Sequence, residues 1–188
     1  VAIFERAERN WMEHRSQYAA RRRIRCAPAA APELDGRLDD AAWTAARRSE
    51  PLVSVESRAA AVATTFRVLR DDANLYVAVS CPEPNAGKIA AACRTADDPA
   101  IGKDDRVEIL IDAGRTRERF KRIAVNAAGA VFDSVVEGAK ADPKWSSGAS
   151  AAAVVGTSGW TAEVRVPLAA LAEKPLSVGD VWGINVVR

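Results

Sequence analysis

From Thr64 onward, apolar side chains recur at every second residue in one short run after another, and this period limits the fold more than any other feature. Thr64, Phe66 and Val68 alternate with Thr65, Arg67 and Leu69, and after a turn at Asp71-Asp72-Ala73-Asn74 the alternation resumes at Leu75, Val77 and Val79. Val107, Ile109 and Ile111 form the next run, with Arg106, Glu108 and Leu110 between them. Runs at 120–125 and 131–136 flank Asn126-Ala-Ala-Gly129, and runs at 150–155, 160–166 and 181–187 complete the series. Successive side chains on a strand point to opposite faces, so each run has one face to bury. Short strands punctuated by turn residues bury such faces together in two packed sheets. The expected fold is all-β, a two-sheet antiparallel β-sandwich of jelly-roll or immunoglobulin-like type. Phe66, Val68, Val77, Val107, Ile109, Trp160 and Val164 should lie inside it. Two short helices are expected, at 39–46 and at 167–172, the second with proline at a tolerated first-turn position.

Residues 1–25 follow a different period. Phe4, Ala7, Trp11, His14 and Tyr18 fall at three- and four-residue steps, which predicts an amphipathic helical arm ahead of the sandwich. It ends in Arg21, Arg22 and Arg23, with Arg25 beyond. The arm carries seven arginines against three glutamates, whereas the whole chain has a net charge of only +2, so the remainder is slightly acidic. The basic character belongs to the arm, and no nucleic-acid partner is expected. Its aromatic stripe needs a surface, which is its own domain, a partner protein or an anionic membrane face. Cys26-Ala-Pro-Ala-Ala-Ala-Pro32 is expected to be a Pro/Ala linker (26–32) that ends the helix, leaving 33–188 as the sandwich. No run approaches the about 20 consecutive apolar residues of a membrane span.

Enzymatic chemistry has little to work with. The chain has a single histidine, His14, in the arm, and it has no GxxxxGK[ST] or GxGxxG phosphate loop. Glu108 and Asp112 lie four apart on one strand, on the same face but well separated along it, which does not make the flanking pair of glycoside hydrolysis. No catalytic residue is assigned. Asp97, Asp98, Asp104, Asp105, Glu108 and Asp112 are hard oxygen ligands, so calcium is a candidate cofactor, though without EF-hand spacing. The three cysteines, Cys26, Cys81 and Cys93, are too few for a disulfide framework, and Cys81 and Cys93 are either a bridged pair or two small buried side chains. Trp43, Trp160 and Trp182 fit core positions. Trp145 sits in a loop of turn formers, Lys140-Ala-Asp-Pro-Lys-Trp-Ser-Ser-Gly148, where a ring either offers a platform to a ligand or lies across the open end of the sandwich.

Six blocks resemble family 9 carbohydrate-binding modules, in family order across 32–188. They are Pro32-Glu-Leu-Asp-Gly-Arg-Leu-Asp-Asp-Ala-Ala-Trp43, Val68-Leu-Arg-Asp-Asp-Ala-Asn-Leu-Tyr-Val-Ala78, Asp104-Asp-Arg-Val-Glu-Ile-Leu-Ile-Asp112, Ala124-Val-Asn-Ala-Ala-Gly129 with Asp133, Gly159-Trp-Thr-Ala-Glu-Val-Arg-Val-Pro167, and Trp182-Gly-Ile-Asn-Val-Val-Arg188. The resemblance implies a non-catalytic, extracytoplasmic (periplasmic or secreted) binding domain, of the kind attached to secreted enzymes or outer-membrane proteins. It also implies a sugar clamped between two aromatic rings with polar groups nearby. Here Glu108 matches a polar ligand position. No ring stands at Ala100-Ile-Gly-Lys103, Ala124 replaces an expected arginine, and the second ring would fall beyond Arg188, so the sandwich is expected to lack its last segment. Two functions follow as expectations. One is carbohydrate binding through Trp145, Glu108, Arg106 and Arg122. The alternative is a structural or interaction subunit of a larger, membrane-associated complex, tethered through Phe4, Trp11, Tyr18, Arg21, Arg22 and Arg23.

Overall fold

A computed structural model describes residues 23–53 and 62–188. Ten strands are present among them: β1 (Ala27–Pro28), β2 (Thr65–Arg70), β3 (Asn74–Pro82), β4 (Arg106–Asp112), β5 (Arg119–Asn126), β6 (Val131–Glu137), β7 (Lys140–Asp142), β8 (Ser150–Gly156), β9 (Gly159–Pro167) and β10 (Gly183–Val187). They form two sheets, ordered β1-β2-β3-β9-β8 and β10-β4-β5-β6-β7. Every pairing is antiparallel except β1 with β2. The all-β sandwich expected from the period is the fold observed.

The inner faces meet where the alternation places them. Val68, Val77, Val79, Trp160 and Val164 of the first sheet join Val107, Ile109, Ile123 and Val125 of the second in one cluster. Phe66 is half-buried against the same cluster. The two short helices appear as Ala41–Ala45 and Leu168–Leu171. The stretch Lys140–Asp142, expected as loop, is a fully exposed edge strand on β6. With no apolar residue alternation to announce it, only its pairing partner defines it.

Along β2 and β3 the first sheet is buried on both faces. Its outer side is covered by the chain that precedes β2, where Trp43 is fully buried against Leu69, Tyr76 and Ala78. That cover is fastened by Glu163 of β9, itself at 0% exposure. Its carboxylate accepts hydrogen bonds from Trp43 Nε1, from Asp35 N at 3.1 Å and from Gly36 N at 2.8 Å. Burial pushes the Glu163 carboxyl up, and the three donors work against that. Gly36 has φ +85°, and a Cβ there would lie 2.8 Å from the Ala153 carbonyl carbon of β8, so only glycine fits. The sequence blocks ending in Trp43 and containing Glu163 therefore meet in space, as fasteners of the fold.

Three features at the N-terminal side differ from expectation. Residues 1–22, which hold Phe4, Trp11, Tyr18, Arg21 and Arg22, lie outside the described residues. Arg23 to Arg25, expected to end the helix, are not helical; Arg23 and Arg25 are exposed, while Ile24 packs against the inter-sheet core. In the expected linker, Ala27 and Pro28 pair with Leu69 and Arg70, and Cys26 joins the core. Proline is tolerated there because an edge strand leaves one side of its backbone unpaired. All three cysteines are free. Cys81 lies between the sheets and Cys93 on the far side of the second sheet, so the bridge is ruled out by their placement.

Candidate functional site

Among the described residues, the outer face of the second sheet is covered at one end, where Cys93 and Ile101 of the preceding segment pack on Ala124, and no further core cluster covers the rest of it. Its composition follows from strand parity: Val107, Ile109, Ile123 and Val125 face inward, so Arg106, Glu108, Leu110, Arg122 and Ala124 face outward. Register then sets them in rows. Asn185, Leu110, Arg122 and Ser134 stand side by side across β10, β4, β5 and β6. In the adjacent row stand Val187, Glu108, Ala124 and Phe132.

Within this surface Arg106 is tied to Glu108. Its Nε and one terminal nitrogen both approach Glu108 Oε1, at 2.9 and 2.8 Å, and its other terminal nitrogen donates to the Gly102 carbonyl at 2.8 Å. Among the described residues no donor engages Glu108 Oε2. Arg122 Nε donates to Ser134 Oγ at 3.1 Å, and its guanidinium lies 5.8 Å from the centre of the Phe132 ring. Phe132 leans on a small cluster of Cys93, Ile101, Ala124 and Ala130 that closes one end of the face. Asn185 is exposed at the other side.

Buried polar groups hold the loop that forms this closed end. Asn126 at 0% exposure donates from Nδ2 to the Cys93 carbonyl at 2.9 Å and to Asp104 Oδ2 at 2.7 Å. Its Oδ1 accepts from Ala128 N and Ala130 N within the turn to β6. Asp104 also accepts from Ala92 N and Cys93 N. Burial alone would raise the Asp104 carboxyl, but these donors outweigh it and hold it below the usual carboxylate range. Three other carboxylates expected as calcium ligands are engaged in the same way. Asp98 caps Ala100 N at 2.8 Å, Asp105 accepts from Ala90 N at 2.8 Å, and Asp112 accepts from Thr116 N and Arg117 N at 3.1 and 2.7 Å. Among the described residues no three His, Cys, Asp or Glu side chains gather as metal ligands. Asp98, Asp104, Asp105 and Asp112 are loop fasteners.

Trp145 stands apart from the other three candidates. It covers Lys121, whose Nζ lies 5.8 Å from the ring centre, and Lys121 points to the face opposite Arg122. The loop is fixed there by Asp133, whose Oδ2 accepts from Ser147 N at 2.8 Å and Ser147 Oγ at 2.6 Å. Trp145 is half-buried beside Lys121, on the side of the sheet opposite Arg122. Arg106, Glu108 and Arg122 come together on the outer face, and Trp145 does not join them. Phe132, Ser134 and Asn185 complete that face and went unnoticed in the sequence. Phe132 and Ser134 share the parity of Arg122 across a hairpin, a readable signal, whereas Asn185 needs the pairing of β10 with β4, which no local pattern announces.

The fold is a two-sheet, mostly β sandwich, and comparison with known proteins assigns it to a family. Residues 34–187 match the family model described as carbohydrate family 9 binding domain-like. The chain belongs to that family. No curated protein matches it. Among solved structures it is similar to a family 9 module from Caldicellulosiruptor kristjanssonii in complex with cellotriose, with a TM-score of 0.62 and 22% identity over 88% of this chain and 75% of that one. It is also similar to a family 9 module from the same organism in complex with glucose, with a TM-score of 0.58 and 20% identity over 87% and 76% of the two chains. At these identities the likeness is one of fold.

Proposed function

We propose that this chain is a non-catalytic carbohydrate-binding module that takes its ligand on the outer face of the second sheet. The observation that carries the reading is the convergence of Glu108, Arg122, Asn185 and Phe132, from four strands, in two adjacent rows of one face. The set has the chemistry a sugar needs. A carboxylate oxygen accepts from hydroxyls, guanidinium and amide groups donate to them, and a phenyl ring offers an apolar face to ring C–H groups. Arg106 fixes the Glu108 carboxylate in place, so little side-chain entropy remains to be lost on binding. Family membership and the sugars held by the two structural relatives support the same reading. An extracytoplasmic location is part of the same proposal, as the family resemblance implies.

Calorimetric titration with a panel of soluble neutral and acidic oligosaccharides tests this. Glu108→Ala and Asn185→Ala are each expected to weaken binding about tenfold or more, the loss of one or two well-placed hydrogen bonds. Trp145→Ala should leave affinity unchanged, because the ring lies on the other side of the sheet. Affinity that survives Glu108→Ala but is abolished by Trp145→Ala would place the site elsewhere.

A further inference from the structure

Arg122 is held on two sides yet has unused binding capacity. Its Nε donates to Ser134 Oγ, an atom of a residue at 0% exposure, and its guanidinium lies by the Phe132 ring. Neither partner is charged. Among the described residues its two terminal nitrogens donate to nothing, and no carboxylate pairs with it. Its neighbour Arg106 differs, because Glu108 neutralises that charge and the Gly102 carbonyl takes one of its terminal nitrogens. The face thus presents one fixed, uncompensated guanidinium with its terminal nitrogens available.

A planar guanidinium pre-oriented in this way matches a carboxylate through two parallel N–H···O bonds, which a neutral hydroxyl does not reproduce. Glu108 stands diagonally across β4 and β5 from Arg122, opposite Ala124, two residues along from it. Diagonal cross-strand neighbours lie about 7–8 Å apart, a span that one sugar ring with its substituents bridges. Resting on the carbohydrate reading of this face, we propose that the ligand is an acidic glycan containing a uronic acid. Arg122 takes its carboxylate, and Glu108, already neutralised by Arg106, accepts from its hydroxyls. The carboxylate lies toward Arg122 because that guanidinium, unlike that of Arg106, has no carboxylate partner among the described residues.

Trigalacturonate, its fully methyl-esterified form and cellotriose, titrated into the full chain, separate the possibilities. The acid is expected to bind about tenfold or more tightly than the ester, and added salt should weaken the acid alone. Arg122→Gln should remove the preference, so that acid and ester bind with equal affinity. Arg122→Lys, which keeps the charge without the two-pronged geometry, should retain part of it. Equal affinity for acid and ester, or a preference that survives Arg122→Gln, overturns the acidic-glycan proposal and leaves carbohydrate binding standing. Cellotriose binding as tightly as the acid does the same. Failure of every sugar in the wider panel sinks the carbohydrate reading and this proposal with it.

Discussion

Glu163 shows how much a single buried residue determines here. One carboxylate satisfies two backbone N–H groups and the indole of Trp43. Glutamine keeps the shape but turns a donor toward some of those donors. Glu163→Gln is therefore expected to cost about 1–3 kcal/mol, measured by chemical denaturation at neutral pH. Gly36, bonded to the same carboxylate, has its own constraint in its positive φ and its closeness to Ala153. Gly36→Ala should lower stability by about 1–3 kcal/mol from backbone strain, with the Cβ clash adding to it. Asp71 supplies a pH-dependent term. It accepts from Tyr76 Oη at 2.6 Å, Ala73 N at 2.7 Å and Asn74 N at 2.6 Å, and the bond from Tyr76, ahead of the backbone ones, lowers its pKa from 3.8 to about 2. A carboxyl with a depressed folded pKa stabilises the fold above its unfolded value and loses that effect as the proton returns. The stability gap between the wild type and Asp71→Asn should be full above pH 3.8 and close as the pH falls to about 2. A gap that stays constant across that window would show that Asp71 acts through shape alone.

At the scale of elements, parity decides what each strand offers. β5 places Lys121 on one side and Arg122 on the other, so one is roofed by Trp145 while the next faces the candidate ligand. A slip of one residue would exchange the two faces, and the buried valines of β4 and β5 prevent it. The segment over the first sheet is less regular, and its attachment depends on one large ring. Trp43 is fully buried in the small outer cluster, so Trp43→Ala is expected to cost about 3–5 kcal/mol, read from the denaturation midpoint. A loss under about 1 kcal/mol would mean that the cover detaches without consequence for the sandwich.

For the whole molecule, the domain begins earlier than its alternation suggests. Ile24 and Cys26 pack on the inter-sheet core and Ala27–Pro28 extends the first sheet, so these residues belong to the folded unit. A chain starting at Ala29 should melt lower than one starting at Arg23, by about 2–4 °C for each kcal/mol lost. Equal melting temperatures would make that segment a passive appendage. The period-two runs, the turns at Asp71 and Asn126 and the short helices were legible because they depend on neighbours two to four residues away. The family blocks were legible too, although what they do was not. Asp35-Gly36, Trp43 and Glu163 are far apart in the chain and form one fastening, and Asp104 and Asn126 form another. Parity alone puts Arg106, Glu108 and Arg122 on outward faces, which is why the sequence determines the sandwich, its inner layer and the residue types available to a ligand. Only tertiary pairing brings Asn185 beside Leu110 and carries Trp145 to the opposite side, because strand order across a sheet is set by long-range backbone hydrogen bonds that leave no periodic mark in the chain.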